Sequence, residues 1–586
     1  MPARSEIDDK FKWAVSDLYS SDEAWEKDYN SILELTDQPS ELKGRMGESA
    51  GMLYKALKEY EQVEYITERV YVYAFMKYYE DTGNSKYQEI SGKAQMAAMK
   101  VSEKYAFLEP ELISIDADVL DKYISEDERL GMYKRFIDGK EHTLSEKEEA
   151  LLAKASQIST VPNEVFSKFN NADVKFGNVK RENGQEDELT NGNFATFMES
   201  HDRTVRKAAF EALYKQYGAY INTIAAAFYG NVKQAMFYAD ARGYKSTLNM
   251  YLDGSFIPEN VYKNLIKTVN DNLDKMYCYV DIRKKALGVD ELHFYDIYAP
   301  MVEDIDWKIS YDEAKDIVVK ALAPMGEEYV SHIKEGFNNG WVDVYENTGK
   351  RSGAFSWGAY GTHPYVFLNY SDTLNDVFTV IHEMGHAMHT YYSNANQPYI
   401  YAGYKIFVAE VASTCNEAIL MQYMLKNTDD EKKKRYLLNH FFEQFKGTLY
   451  RQTMFAEFEM EAHAKAEHGE VLSAESLCAM YKKLNEKYFG PDMVIDDEIA
   501  LEWARIPHFY TPFYVYQYAT GYSAAIAIST KILAGDEQVI AGYRKFLSGG
   551  SSMHPIELLK LCGIDMTRPD VVQEALDVFG ELLKQW

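Results

Sequence analysis

The scarcity of helix-breaking residues is the feature that most restricts how this chain folds. Its 586 residues include only 14 prolines and 34 glycines. Proline removes a backbone donor and glycine favours turns, so long helices need stretches without them. Apolar residues recur at helical three-and-four spacing through most of the chain, as in DEAWEKDYNSILEL, residues 22–35. The sequence therefore predicts a mainly α protein, and 46% hydrophobic content at this length predicts a large core.

The charge of the chain restricts its partners. Lysine and arginine number 63 against 91 aspartates and glutamates, which gives a net charge of -28. A surface this acidic repels phosphate backbones and anionic lipids, so neither nucleic acid nor a membrane is expected as a partner. The stretch MPARSEIDDKFKW carries charges where a secretion signal needs an apolar core. These features predict a soluble, cytoplasmic protein.

One region departs from the helical pattern. Residues 352–360, SGAFSWGAY, and 364–370, PYVFLNY, are rich in aromatic and β-branched residues and are separated by a short turn, which predicts a β-hairpin. The following SDT, residues 371–373, offers N-cap residues for the apolar-periodic helix that comes next. A second polar segment, residues 179–193, predicts a loop or hairpin between an N-terminal helical part and the rest.

The helix after the predicted hairpin carries the clearest chemical signal. VFTVIHEMGHAMHTYY, residues 377–392, places His382 and His386 four residues apart with Glu383 between them. Residues four apart share a helix face, so both imidazoles can bind one metal ion at about 2 Å. Glu383 lies about 100° round the helix, where it can reach a metal-bound water. Because H-E-x-x-H occurs by chance in about 2% of chains like this one, its surroundings must support it.

A zinc site of this kind needs a third ligand. A histidine ten residues after the first is excluded, because position 392 is tyrosine. No aspartate or glutamate occurs from 387 to 409, and the next acids are Glu410 and Glu417. These two share a helix face, so one can bind the metal and the other can hold a histidine's outer nitrogen. His389 also lies on the ligand side, but three protein ligands and water already complete a four-coordinate site.

These residues resemble the thimet oligopeptidase and oligoendopeptidase F family of zinc peptidases. The resemblance rests on HEMGHAMH followed by FVAEVASTCNE, and on FKWAVSDLYSSDEAWEKDY, GKRSGAFSWGAYGTHPYVFLNY, PHFYTPFYVYQYATGYS and FLSGGSSMHPIELLKLCGID. It covers essentially the whole chain and points to the oligoendopeptidase F branch. It implies an N-terminal helical region at 1–190 and a zinc metallopeptidase catalytic domain at 191–586. It also implies a large, two-lobed helical ellipsoid with a deep central channel and a small β-sheet beside the zinc helix.

The resemblance also implies roles for individual residues. It implies one zinc ion (Zn2+) per chain, held by His382, His386 and Glu410, with Glu383 as the general base. Glu417 is then the acid expected to form a hydrogen bond with the outer nitrogen of a metal-binding histidine.

Transition-state donors are implied in a segment closer to the C-terminus. They map to His508, Tyr510 and Tyr514, whose side chains can donate hydrogen bonds to an oxyanion. Related oligopeptidases have a somewhat different tyrosine spacing, which leaves open which tyrosine acts.

The predicted hairpin is also a candidate for binding substrate. Because it leads straight into the helix that carries His382, its strands must lie near the metal. An extended peptide can pair with a strand edge through backbone hydrogen bonds, which gives little side-chain selectivity. Short side chains at Gly358 and Ala359, beside Tyr360, allow another backbone to approach closely.

The function expected from these features is a zinc-dependent endopeptidase that hydrolyses internal bonds of short peptides, acting as a monomer or small homo-oligomer. One alternative is a C-terminal exopeptidase of the same family, which needs a cation to hold the terminal carboxylate, and the sequence identifies none clearly. Another is an inactive helical scaffold that binds peptides. An intact Glu383 and a complete ligand set argue against the scaffold.

Overall fold

The computed structural model describes residues 1–37, 40–134, 142, 144–303, 305 and 307–586. Most of these residues are helical and the few strands are short, which confirms the predicted mainly α class. Among the described residues, no helix combines the length and the apolar character that crossing a membrane requires.

The helices and strands follow one another along the chain as follows. The α-helices are α1 (Asp22–Thr36), α2 (Ala50–Glu80), α3 (Ser85–Tyr105), α4 (Leu108–Ser114), α5 (Ala117–Glu126), α6 (Glu146–Ser159), α7 (Val161–Lys168), α8 (Phe194–Met198), α9 (Arg203–Ala219), α10 (Ile221–Ala241), α11 (Thr247–Asp253), α12 (Glu259–Asn270), α13 (Leu273–Leu287), α14 (Tyr311–Ala321), α15 (Glu327–Asn338), α16 (Leu374–Asn396), α17 (Tyr399–Ala402), α18 (Ile406–Lys426), α19 (Glu431–Gln444), α20 (Arg451–Glu467), α21 (Ala474–Phe489), α22 (Tyr516–Leu533), α23 (Glu537–Leu547), α24 (Pro555–Lys560) and α25 (Asp570–Leu583). The strands are β1 (Asn178–Lys180), β2 (Glu186–Glu188), β3 (Leu292–His293), β4 (Val342–Asp343), β5 (Phe355–Trp357), β6 (Tyr365–Phe367) and β7 (Met493–Val494).

The chain packs as two compact units, each assembled from three separate segments. Unit 1 comprises residues 1–150, 307–420 and 528–563, and unit 2 comprises residues 151–306, 421–527 and 564–586. The division at residue 190 and the two lobes around a channel stay predictions.

The core of unit 1 joins the N-terminal helices to a small sheet. Its strand order is β4-β6-β5, with β4 parallel and β5 antiparallel to β6. Tyr365 and Phe367 of β6 are buried in the same apolar core as Trp13 and Trp25. The β5–β6 pair confirms the predicted hairpin, although its strands are shorter than the aromatic segments. Strands β4 and β5 are the two outer strands of this sheet.

Helix α16 begins directly after this sheet. Thr373 is its N-cap: the Thr373 hydroxyl accepts a hydrogen bond from the Asp376 backbone N–H at 3.2 Å, and Asp376 accepts the Thr373 backbone N–H at 2.9 Å. This capping box satisfies two donors that the helix start would leave unpaired. It confirms the predicted N-cap and sets where the helix that carries the histidines begins.

Unit 2 has an aromatic core of its own. The Phe458 ring packs against Phe228, Trp503 and Phe509 at centroid distances of 6.0, 6.3 and 5.1 Å. Strands β1 and β2 form an antiparallel pair, which confirms the predicted loop or hairpin at 179–193. Two 3₁₀-helices, Asp497–Arg505 and Pro507–Tyr510, lead into helix α22.

Candidate metal centre

Helices α16 and α18 bring together the three residues predicted to bind metal. The His382 and His386 Nε2 atoms, one helical turn apart on α16, are separated by 3.2 Å. One Glu410 oxygen, in the first turns of α18, lies 3.6 Å from each of them. The three ligand atoms therefore form a nearly equilateral triangle within unit 1.

The size of this triangle matches a metal ion. Four ligands arranged tetrahedrally at 2.0–2.1 Å from zinc lie about 3.3–3.4 Å from one another. The observed separations of 3.2 and 3.6 Å are close to this value. Within the described part of the chain, no other group of three or more His, Cys, Asp or Glu residues is close enough to hold an ion. This group therefore could hold a metal ion.

Glu417 lies behind the first histidine. Its carboxylate is hydrogen-bonded to His382 Nδ1, which leaves Nε2 directed toward the triangle. Burial by itself lowers the pKa of His382, but the hydrogen bond to Glu417 and the charges of Glu417, Glu383 and Glu410 together raise it to about 9. A carboxylate on the outer nitrogen fixes the ring orientation and increases ligand basicity. The geometry thus distinguishes two acids that sequence spacing left equivalent.

Glu410 is held as a charged carboxylate. The close contact with His386 lowers its pKa to about 2, against the opposing effect of burial. The Ser413 hydroxyl also donates to the same carboxylate at 3.2 Å. The Glu410 side chain is 38% exposed, so the carboxylate is accessible from solvent.

Glu383 lies on the same helix between the two histidines. It is only 8% exposed, and burial raises its pKa above the usual value for a glutamate. A raised pKa brings a carboxylate closer to the value at which it can both accept and return a proton near neutral pH.

Gly385 is a residue that the sequence analysis missed. A Cβ atom placed there would lie 2.6 Å from the Ser413 Cα and 2.8 Å from the Ala412 carbonyl oxygen. The missing side chain thus allows α18 to approach α16 closely enough for its acids to reach the histidines. The sequence signal that could have revealed it is a glycine in the interior of a predicted helix. Such a glycine destabilises the helix, so it indicates a position where close packing excludes a side chain.

A buried asparagine also connects the two helices. Asn416 is fully buried on α18, and its side-chain amide donates to the Ile381 carbonyl of α16 at 3.4 Å. Its side-chain oxygen accepts a hydrogen bond from the Tyr329 hydroxyl at 3.1 Å. Because both partners are buried, losing either would leave an unsatisfied polar group in the core.

His389 does not belong to the metal-binding group. Its ring is fully buried and stacks on Tyr404 with centroids 3.7 Å apart. Burial lowers its pKa to about 3, so the imidazole is neutral. We therefore assign His389 to packing against Tyr404 and not to metal binding.

The predicted substrate-binding residues lie in unit 1, at the end of β5. A Cβ at Gly358 would sit 3.9 Å from the Thr390 side chain, which is one helical turn beyond His386. The Tyr360 N–H is already donated to Glu68, and the Ala359 carbonyl already accepts the Thr362 N–H. Substrate pairing there stays a prediction, and it would involve Gly358 and the outer edge of β5.

The predicted transition-state donors lie in unit 2. The rings of His508 and Tyr514 are parallel within 5°, with centroids 6.1 Å apart. His508 is exposed and Tyr514 is half-buried. Tyr510 instead stacks on Phe166, and its hydroxyl is buried without a partner among the described residues. The donor roles stay predictions, with stronger geometric support for His508 and Tyr514 than for Tyr510.

Comparisons with known proteins identify a family. The model for "Peptidase family M3" matches residues 196–578, and the model for "Oligopeptidase F" matches residues 111–176. The chain is 49% identical to oligopeptidase PepF of Bacillus subtilis over 589 residues, covering 100% of this chain and 88% of that protein. It is 41% identical to an oligoendopeptidase F homolog of Lactococcus lactis, covering 99% and 98%.

Solved structures give the same result. A putative peptidase from Chlamydophila abortus has a TM-score of 0.95 at 34% identity and covers 100% of this chain and 99% of its own. Oligoendopeptidase-F from Enterococcus faecium has a TM-score of 0.75 at 36% identity and covers 96% and 98%. These matches confirm the family predicted from the sequence motifs. The chain belongs to peptidase family M3, in its oligoendopeptidase F branch, and is a metallo-endopeptidase.

Proposed function

We propose that this enzyme hydrolyses internal bonds of short peptides with one zinc ion held by His382, His386 and Glu410. The observation that carries the proposal is the triangle of ligand atoms, whose sides of 3.2 and 3.6 Å suit a tetrahedral zinc site. Two imidazoles and one carboxylate form the ligand set that catalytic zinc commonly has, with a fourth position left open.

The residues around the ion would prepare it for hydrolysis. Zinc supplies a Lewis acid that polarises the peptide carbonyl and acidifies water. Glu417 holds the His382 ring so that Nε2 presents its lone pair to the ion. The Ser413 hydroxyl, on the same helix as Glu410, restrains the Glu410 carboxylate by donating a hydrogen bond to it. These contacts would keep two of the three ligands, His382 and Glu410, in place on metal binding.

Glu383 is proposed as the general base. It takes a proton from the attacking water and delivers it to the nitrogen of the leaving amine, so the carboxylate is regenerated in each turnover. Its raised pKa and low exposure support this role, because a buried carboxylate holds a proton more readily than an exposed one.

His508 and Tyr514 are proposed to donate hydrogen bonds to the oxyanion of the tetrahedral intermediate. Their parallel rings and their access to solvent support this assignment. The buried Tyr510 hydroxyl gives that residue less support as a donor.

Substrate is proposed to pair with the outer edge of β5. The strand order β4-β6-β5 supports this, because an outer strand presents backbone groups that its own sheet does not use. A cavity of about 560 Å³ lies beside this edge, and none of the described residues that line it is a lysine, arginine or histidine. A C-terminal exopeptidase would need such a cation to hold a terminal carboxylate, so endopeptidase action is favoured.

The expected partners, location and oligomeric state rest on the sequence. A net charge of -28 supports a protein that avoids nucleic acid and anionic membranes. The cytoplasmic location and the monomeric or small homo-oligomeric state stay predictions.

The test uses a peptide blocked at both ends, with an internally quenched fluorophore. Zinc-loaded enzyme should cleave it at an internal bond, as seen by mass spectrometry, with one zinc per chain by elemental analysis. Glu410→Ala should lose most of the zinc, whereas Glu417→Gln should bind it about 10–100-fold more weakly. Full zinc occupancy in Glu410→Ala would mean that another ligand completes the site. Binding of the peptide without cleavage would favour the inactive scaffold.

A further inference from the structure

A cavity of about 560 Å³ lies in unit 1 along the edge strand β5. The five consecutive residues 356–360 line one side, and helix α2 lines another. Thr390 of α16 also lines it, and one helical turn of about 5.4 Å separates Thr390 from His386. The cavity therefore adjoins both the strand edge proposed to hold substrate and the helix that carries the metal ligands. Its volume suits one or two large side chains.

Helix α2 presents a row of carboxylates to this cavity. Glu61, Glu64 and Glu68 occur at i, i+3 and i+7, so they share one helix face. Glu61 is paired with Lys58 at 2.8 Å, but neither Glu64 nor Glu68 forms an ion pair with a described lysine or arginine. Burial raises the pKa of Glu64 and of Glu68. The charge of Arg69 acts on Glu68 without forming an ion pair with it. Partly buried carboxylates without a directly paired cation are unfavourable, and a bound cation would relieve that cost.

The aromatic residues that line the cavity also suit a cation. They are Tyr60, Tyr133, Trp357, Tyr360, Tyr399 and Tyr404. The faces of such rings attract ammonium and guanidinium groups. The Tyr360 backbone N–H donates to Glu68 at 3.1 Å, which orients that carboxylate beside the end of β5.

We propose that this cavity binds a positively charged group of the peptide substrate, and that Glu64 and Glu68 thereby select which peptides are cleaved. The charged group is either the N-terminal ammonium or a lysine or arginine side chain, because both offer N–H donors with a full positive charge. The selection rests on the proposed function, since it concerns the substrate of the same site.

The experiment compares peptides of one sequence that differ by a single charge. One series replaces lysine by norleucine at successive positions, and another acetylates the N-terminus. Removing the recognised charge should lower kcat/KM about tenfold or more, as expected for a charge-assisted hydrogen bond in a partly buried site. An effect of acetylation alone identifies the terminal ammonium, and an effect at one lysine position identifies a side chain. Less than a twofold effect throughout both series overturns the proposal.

Substitutions then locate the discrimination. In Glu64→Gln/Glu68→Gln the ratio of kcat/KM between the charged and neutral peptides should fall close to one. The matched control, Glu26→Gln/Glu103→Gln, changes the same number of charges at exposed positions on α1 and α3 and should keep the wild-type ratio. A ratio that survives in the first variant, or that falls equally in the control, contradicts a role for the cavity.

A binding measurement separates this proposal from the proposed function. Calorimetry with the zinc-loaded Glu383→Gln enzyme measures the affinity of the same peptide pairs without turnover. If the wild-type enzyme cleaves none of the peptides, but the charged peptides bind to Glu383→Gln about tenfold more tightly than the neutral ones, the proposed function fails and the cavity proposal stands. If peptides are cleaved and bound without regard to charge, only the cavity proposal fails.

Discussion

A methyl group added at Gly385 should separate the two helices that build the metal site. In Gly385→Ala the new Cβ would lie 2.6 Å from Ser413 Cα, 2.8 Å from the Ala412 oxygen and 3.0 Å from Ser413 N. All three neighbours are backbone atoms of α18, so no side chain can rotate away. Because carbon atoms pack at about 3.5–4.0 Å, the helices must move apart by about 1 Å.

The magnitude follows from this displacement. Overpacking of this kind costs about 1–3 kcal/mol, and the better helix propensity of alanine returns about 0.5–1 kcal/mol. We therefore expect a net loss of about 0–2.5 kcal/mol in the free energy of unfolding. The same shift lengthens the distances from Glu410 to the histidines from 3.6 Å to about 4.6 Å. Two atoms bonded to one zinc at about 2.1 Å cannot be more than about 4.2 Å apart, so zinc affinity should fall at least 10–100-fold.

The assay measures zinc affinity by chelator competition and stability by urea unfolding, on protein with and without zinc. Gly92→Ala is the matched control, because Gly92 also lies inside a helix and a Cβ there meets nothing within 4 Å. It should keep the wild-type zinc affinity and unfold at slightly higher urea. Wild-type zinc affinity in Gly385→Ala, together with an unchanged unfolding midpoint, would refute the close-approach argument.

Four further substitutions test other parts of the structure. Glu383→Gln should retain zinc and lose about 10²–10⁴-fold in kcat, and near-normal turnover in a zinc-loaded sample would exclude a general-base role. Tyr514→Phe should lower kcat with little change in KM, by the equivalent of about 2.7–4 kcal/mol, and Tyr510→Phe should have the smaller effect because its hydroxyl is buried. Wild-type kcat in both would make the segment structural. Glu459 is fully buried, accepts the Phe513 N–H at 2.9 Å, and has a pKa that burial raises to about 8. The folded state therefore keeps a proton that the unfolded state releases above its ordinary pKa of 4.5, and the wild type loses stability as pH rises from there through 8. Glu459→Gln keeps the hydrogen-bond acceptor but cannot ionise. The difference between its unfolding midpoint and that of the wild type should therefore rise between pH 5 and pH 8. If this difference does not depend on pH, Glu459 is ionised in the folded state.

Local residue patterns were sufficient wherever a feature depends on neighbours along the chain. The 3.6-residue period of a helix puts His382 and His386 on one face before any packing is known, and Thr373 with Asp376 satisfies the helix start locally. Aromatic and β-branched composition was likewise sufficient for the β5–β6 hairpin. The full-length resemblance, carried by several motifs, predicted the family that the comparisons confirm.

Tertiary packing decided the features that depend on distances between elements. Glu410 and Glu417 share a helix face, and only the crossing of α18 over α16, allowed by Gly385, puts one at the Nε2 triangle and the other at His382 Nδ1. The cavity is of the same kind, since it joins α2 to a strand edge almost 300 residues further along the chain. Helix periodicity determines which side chains point the same way, but only packing determines how close two elements lie and which atoms meet between them.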